Sequence, residues 1–262
     1  MSDLMVTQGK DEVSALARGL AVLRAVADAS QPLSNRDLAE LTGIPKATVS
    51  RLASTLVGAG YLRQAMDSER FSLGPALLDL GNAYLRTFDF RNHARLHLAE
   101  LAELAGANVH LGVRDGLDIV LIDTLRPRSA LILSRMDVGS RMSIATSAAG
   151  RAYLASLPLG ERDTLMNELQ AASSDGKALK TRLEQALKDY ARLGFSTSFG
   201  EWHPDIHAVG FSLYGPRGEL YAVSCGGPAY KLPKKMLLEK VGPKLLETQR
   251  AIVKEMSVVV TF

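Results

Sequence analysis

Residues Leu38 to Ser54, LAELTGIPKATVSRLAS, decide how the first part of the chain folds. Ala39, Gly43 and Val49 fall at the spacing of a helix-turn-helix, with a small residue where two helices touch, a glycine in the turn and a β-branched anchor in the second helix. Gly43 can adopt the left-handed backbone conformation that ends a helix, and Pro45 suits the first turn of the next one. Upstream, Ser34 is placed to cap a short helix over Asn35 to Thr42, with Asp37 three residues on in a capping-box position. Further back, Val13, Leu16, Leu20, Leu23 and Val26 recur at helical spacing and predict a first amphipathic helix over Glu12 to Ala29. Residues 1–11 are polar and are expected to fray.

Downstream, the second helix is expected over Lys46 to Val57. At 100° per residue, Val49, Leu52, Ala53 and Leu56 share one face, while Ala47, Arg51 and Ser54 lie opposite, flanked by Thr48, Ser50 and Thr55. Short side chains with one arginine would let such a helix lie deep in a DNA major groove. Arg51 can pair with guanine or hold a phosphate, Thr48, Ser50 and Thr55 offer hydroxyls, and the Ala47 methyl can meet a thymine methyl. Lys46, near the helix start, is better placed for phosphate. The plain alternative is a solvated polar face of the usual kind. YLRQAMDSERFSL then reads as two short strands around Met66 to Glu69. A hairpin directly after a helix-turn-helix is a wing, and Arg63 and Arg70 become candidates for phosphate or minor-groove contact.

Composition agrees with a two-domain globular protein. The 262 residues are 47% hydrophobic and 23% charged, ordinary values for a domain with a buried core. No apolar run approaches the roughly 20 residues of a membrane helix, and the first residues lack a signal-peptide core, so a cytoplasmic location is expected. The single cysteine, Cys225, rules out an internal disulfide and any multi-cysteine metal site. Net charge is only +3, and before Gly74 eight Lys/Arg balance eight Asp/Glu. Placement matters more than the total: Lys46, Arg51, Arg63 and Arg70 face only Asp67 and Glu69 between Gly43 and Phe71.

After Gly74-Pro75, helical spacing resumes over Ala76 to Arg86 through Leu77, Leu80 and Tyr84, and a Leu/Ala-rich helix follows over Phe90 to Ala105. Strand-like runs then alternate with turns: Asn108–Val113, Asp118–Asp123, Ala130–Ser134, Ala208–Tyr214 and Glu219–Ser224. Between them lie a helix from Ala148 with Ser147 as cap and a charged helix over Leu179 to Leu193; a last helix covers Leu232 to Met256. Helices alternating with hairpin-connected strands indicate an α+β fold. Three parts are expected: a winged helix-turn-helix over residues 12–75, a linker helix over 76–89 and a ligand-binding domain over 90–262.

Two stretches of the second half carry candidate chemistry. Ser147-Ala148-Ala149-Gly150 puts small residues at a helix N-terminus, where uncovered N–H groups and the helix dipole favour a carboxylate; alternatively the small residues serve only close packing. Glu201-Trp202-His203-Pro204-Asp205-Ile206-His207 holds the only tryptophan and two of the five histidines. It reads as a pocket lid in which Trp202 stacks on an aromatic acid and His203 or His207 pairs with its carboxylate, as a metal site from His203, His207, Asp205 or Glu201, or as a polar loop. No other metal site and no cofactor is expected, since His93 and His97 lack the glutamate of an HExxH motif. GxSxG, P-loop and GxGxxG motifs are absent, which speaks against an enzyme.

In order, Arg18-Gly19-Leu20, Leu38-Ala39, Gly43, Thr48-Val49-x-Arg51-Leu52, Gly60-Tyr61-Leu62 and Leu73-Gly74 resemble the winged-helix domain of the IclR family of bacterial transcriptional regulators. LAGANVHLGVRDGLDIVLID, VGSRMSIATSAAGRAYLA and the segment from Gly194 to Pro228 extend the resemblance through the second half. It implies a GAF-like effector-binding domain with a central antiparallel sheet, a linker helix that also pairs subunits, and a dimer or dimer of dimers on a pseudo-palindromic double-stranded DNA operator, with RNA polymerase a candidate further partner. It also implies a small organic-acid effector at Ser147, Ala148 and Ala149, with Ser198, Ala208, Ser224 and Cys225 on the opposite wall; the lid reading of the Glu201–His207 segment adds Glu201, Trp202 and His203 as effector contacts. A sensor acting through a protein partner, with little specific DNA binding, is the competing expectation.

Overall fold

The computed structural model describes residues 13–128 and 136–259, and the chain divides into two compact units between Thr87 and Phe88. The expected strand at Ala130–Ser134 and the polar residues 1–11 lie outside the described residues. In the first unit α1 (Ser14–Asp28), α2 (Asn35–Thr42) and α3 (Lys46–Gly58) precede a hairpin, β1 (Leu62–Gln64) and β2 (Phe71–Leu73), and then α4 (Ala76–Arg86). The Ser34 side chain accepts from Asp37 N–H at 3.2 Å while the Ser34 N–H donates to Asp37 Oδ2 at 2.9 Å, a reciprocal capping box. Gly43 ends α2 at φ 68°, and its N–H donates to Ala39 O at 3.0 Å. Val22 and Val26 of α1, Leu38 of α2, Val49 and Ala53 of α3, Leu62 and Phe71 of the wing, and Ile44 from the turn make one buried core. A Leu33–Phe71 bridge fixes the wing to the segment that enters α2.

The second unit starts with α5 (Asp89–Ala105) and builds one sheet from β3 (Asn108–Asp115), β4 (Asp118–Leu125), β5 (Arg141–Ser143), β6 (Ser196–Phe199), β7 (Ile206–Tyr214) and β8 (Leu220–Pro228). Strand order is β5-β4-β3-β8-β7-β6, every pairing antiparallel, so the α+β expectation holds. Between β5 and β6 come α6 (Ala148–Ser156), α7 (Leu159–Ala171) and α8 (Gly176–Leu193). The chain closes with α9 (Lys234–Met236), a π turn (Leu237–Val241) and α10 (Gly242–Val259). Helices α5 and α10 pack on one face of the sheet and α6 on the other. On the α5 side, the buried Asp123 carboxylate is held by Arg91 at 3.3 Å and by Arg95, which supplies the partners a buried charge requires.

Two elements, α7 and β5, escape the sequence reading. Helix α7 opens on Pro158-Leu159-Gly160 and a charged turn, so it looks like a break, yet Leu165, Met166 and Leu169 bury its far half. Strand β5 is three residues long and carries no periodicity. The expected single C-terminal helix is instead interrupted by the π turn. Pro243, two residues beyond it, has no N–H to continue the ladder, so the helix widens before it.

The first unit depends on local chemistry that can be removed one atom group at a time. Ser34→Ala should lower its stability by about 1 kcal/mol by deleting the cap. Gly43→Ala, where nothing lies within 4 Å of an added Cβ, should cost about 1–2 kcal/mol through backbone conformation alone. Urea unfolding followed by circular dichroism checks both; an unchanged midpoint in either variant contradicts the assignment.

Candidate functional site

The structure places the DNA-reading candidates on one solvent face. Lys46, Ala47, Ser50, Arg51 and Thr55 are exposed along α3 and Thr48 is half-buried, while Val49 and Ala53 are sealed in the core. Arg51 projects from this face with its side chain open to solvent, whereas Thr55 returns its hydroxyl to Arg51 O at 3.0 Å. Arg63 is exposed on β1. Arg70 is used differently from the sequence expectation. Its guanidinium donates to Pro32 O at 2.9 Å and to Asp37 Oδ2 at 3.1 Å, tying the wing to the α2 cap because the Leu33–Phe71 bridge brings these groups together. The Asp37 carboxyl is held below its usual range by the Ser34 N–H and hydroxyl, with Arg70 adding to the effect.

In the second unit, the face of the sheet under α6 carries a cavity of about 340 Å³. Its position follows from small residues. An added Cβ on Gly210 of β7 would lie 2.8 Å from the carbonyl of Ala148, and one on Gly150 would strike the backbone of Ile144; only glycine lets α6 settle this close. Hydroxyls then hold its start. Ser198 Oγ donates to Thr146 O at 2.8 Å, Ser196 Oγ to Ala148 O at 2.5 Å, and Ser147 Oγ accepts from Gly150 N–H at 3.0 Å. Among the described residues nothing accepts from the N–H groups of Ala148 and Ala149, which an N-terminal helical turn leaves unsatisfied.

Ser147, Ala148, Ser198, Ala208 and Ser224 line this cavity together, as do Trp202 and His203 from the loop before β7. Three other sequence candidates lie elsewhere. Ala149 is turned into the hydrophobic core. Cys225 pairs with Val109 and Val209 and faces away from the cavity, because strand alternation that points Ser224 and Gly226 inward must point Cys225 out; burial pushes its thiol up to about 12. His207 is part of β7, one residue off the inward set, and its Nδ1 lies 2.9 Å from Leu232 O. The metal reading of the loop fails with it: among the described residues no three His, Cys, Asp or Glu side chains come together as a metal site requires. His97 instead pairs with Glu255 of α10 at 2.7 Å.

Glu201 does not line the cavity but anchors the loop above it. Its carboxylate takes the Arg151 guanidinium at 3.1 Å and the Phe199 N–H, and Arg151, itself buried, also donates to Thr197 O at 2.9 Å and Ala145 O at 3.3 Å. Burial of Glu201 raises its pKa, but the Arg151 charge and these hydrogen bonds outweigh it and leave the carboxyl below its usual range.

Two family models cover this architecture: the IclR helix-turn-helix domain matches residues 15–65 and the bacterial transcriptional regulator IclR C-terminal model matches residues 82–254. The chain belongs to the IclR family. It is 32% identical to the HTH-type transcriptional regulator TsaQ1/TsaQ2 of Comamonas testosteroni over 97% of this chain and 92% of that one. It is 26% identical to the Pca regulon regulatory protein of Pseudomonas putida, over 93% and 84%. The IclR-family regulator structure from Brucella abortus superposes with a TM-score of 0.80 at 35% identity, covering 95% of this chain and 94% of that one. This IclR-family chain is therefore a DNA-binding transcriptional regulator, and among its described residues no helix is long and apolar enough to cross a membrane.

Several cavity residues of this family member were not found from sequence. Asn108 and His110 on β3, Met136, Met142, Ile206 and the Gly226-Gly227-Pro228 end of β8 also line it. No local signal marks them, since strand pairing across more than a hundred residues of chain sets Asn108 beside Gly226. Burial presses the His110 imidazole down to about 4, with Arg126 adding to the effect, so it is neutral at pH 7.

Because the Glu201 carboxyl lies below its unfolded value, its tie to Arg151 is complete above the ordinary carboxylate range and is lost as pH falls through the lowered value. Trp202, the only tryptophan, sits on that loop and reports it. Its fluorescence should hold steady from pH 7 down through the ordinary carboxylate range and change only below it, whereas Glu201→Gln should show the altered emission already at pH 7. Identical emission of the two proteins at pH 7 contradicts the anchor.

Proposed function

We propose that this IclR-family regulator reads a pseudo-palindromic DNA operator as a homodimer and changes its hold on that operator when a small organic acid enters the cavity under α6. One observation carries the effector part: the unpaired N–H of Ala148, at a helix start, stands beside a cavity whose other walls, Met136, Met142, Trp202, Ile206 and Pro228, are largely apolar. That combination suits a ligand with one anionic end and a hydrophobic, flat body. Trp202 gives an aromatic ring a surface to stack on.

The first unit supports the DNA part. Beyond Lys46 at its start, the exposed face of α3 is free of large side chains except Arg51, which suits insertion into a major groove. Dimerisation draws on exposed apolar stripes: Val13, Leu16 and Leu20 along α1, and Leu78, Leu80 and Tyr84 along α4. Helix α4 buries none of its residues within its own chain, which fits a helix that links the domains and pairs with a second subunit. The effector needs only to favour one arrangement of the winged helices over another. The regulator would work in the cytoplasm, with RNA polymerase as the machinery it influences.

Selection of random duplex DNA by the purified protein at near-physiological salt should enrich an inverted repeat. Arg51→Ala should then weaken binding to that repeat by about 1–3 kcal/mol, with a smaller loss on random duplex. Equal losses on both would reduce Arg51 to a phosphate contact. Failure of a folded, dimeric protein to enrich any motif, with and without a panel of organic acids, would overturn the reading in favour of a sensor that acts through a protein partner.

A further inference from the structure

The cavity has a second polar end, opposite the start of α6. Asn108 is buried at 3% exposure and lines the cavity, and its Oδ1 has no hydrogen-bond partner among the described residues. A buried amide oxygen left unpaired beside a cavity needs an explanation, and a missing ligand is one. Two residues on, His110 lines the same cavity. Its Nδ1 lies 3.2 Å from Thr124 Oγ1, and no described residue bonds to Nε2. Arg126, whose charge acts on His110, is occupied by Asp137 at 3.5 Å and by Met136 O at 2.9 Å.

Sheet register sets how far this end stands from the helix start. His110 pairs with Ser224 and Ser224 with Gly210, the residue on which Ala148 rests; Asn108, Gly226 and Ala208 form the next row. The two polar ends are therefore two strands apart, roughly 10 Å. Subtracting a hydrogen bond of about 2.9 Å at each end leaves about 4 Å between the two polar contact atoms of a ligand, or about 5 Å from its anionic carbon to the second polar atom. Gly226 and Ala208 keep the floor between them low.

We infer that the Asn108–His110 pair is a hydroxyl-recognition subsite, and that the effector is a flat carboxylic acid carrying a hydroxyl on the side of the ring remote from its carboxylate. This rests on the organic-acid reading of the cavity given above. A hydroxyl both donates and accepts, so it satisfies either end of the Asn108 amide and the free imidazole nitrogen together. A second carboxylate does not suit: it only accepts, it would face an amide oxygen and a neutral ring, and among the described residues that line the cavity there is no Lys or Arg to pair with it. A plain apolar ring leaves Asn108 Oδ1 unpaired.

Isothermal titration calorimetry on the full-length protein at pH 7.5 tests this with benzoate, 4-hydroxybenzoate, 2-hydroxybenzoate and terephthalate. The 4-hydroxy acid should bind about tenfold tighter than benzoate. The 2-hydroxy isomer, whose hydroxyl cannot reach β3, should gain nothing, and terephthalate should bind no better than benzoate. Asn108→Leu should bring 4-hydroxybenzoate to within about twofold of benzoate while benzoate itself still binds. Equal affinities for benzoate and 4-hydroxybenzoate in the natural protein, or tightest binding by terephthalate, overturn the inference alone, whether or not Asn108→Leu folds. Binding of none of these acids overturns both it and the organic-acid reading.

Discussion

The approach of α6 to the sheet at Gly210 is the constraint on which the second unit depends. A side chain at Gly210 or Gly150 would push the helix off, and with it the hydrogen bonds from Ser196 and Ser198 to the carbonyls of Ala148 and Thr146. Because the helix lies so close, its first N–H groups open beside the sheet rather than toward bulk solvent. The cavity is thus a by-product of packing: small residues allow contact on one side of the helix start and leave room on the other. The two readings of Ser147-Ala148-Ala149-Gly150, close packing and the proposed anion binding, fall on different residues and do not exclude each other. Gly150 and Ala149 pack, while Ser147 and Ala148 face the cavity.

A similar economy governs the first unit. Asp37 closes the capping box of α2 and receives Arg70 from the wing, so one carboxylate fixes both the helix entry and the hairpin next to it. The arginine that charge placement nominated for DNA is therefore also a tie within the first unit, and the proposed reading surface is the exposed face of α3 with Arg63 beside it. Local positive charge in a sequence does not show whether a guanidinium is paired within its own domain, because the pairing here depends on a bridge between Leu33 and Phe71.

What was legible in the sequence follows the range of the interactions involved. The helix-turn-helix, its cap, its glycine turn and the wing are set by neighbours within a few residues, and their bounds agree with the structure to within a residue or two. The family resemblance supplied the start of α6 as a ligand site and five residues that do meet around one cavity. Cys225 and His207 were misplaced by one position of strand alternation, which depends on where β7 and β8 begin. Strand β7 starts at Ile206 rather than Ala208, so His207 joins the sheet instead of the loop. Asn108 and His110 had no local mark at all, since only the pairing of β3 with β8 brings them to the cavity. Arg151 was equally silent, a buried cation whose partner lies fifty residues away.

The central claim is that the first N–H groups of α6 receive the anionic end of the effector. Backbone amide resonances of Ala148 and Ala149, followed by TROSY spectroscopy while benzoate is added, test it most directly. The account predicts saturable downfield movement of both resonances, with no comparable movement on adding benzamide, which has the same ring and no charge. Saturable binding of benzoate that leaves these two amides in place while shifting others would contradict it.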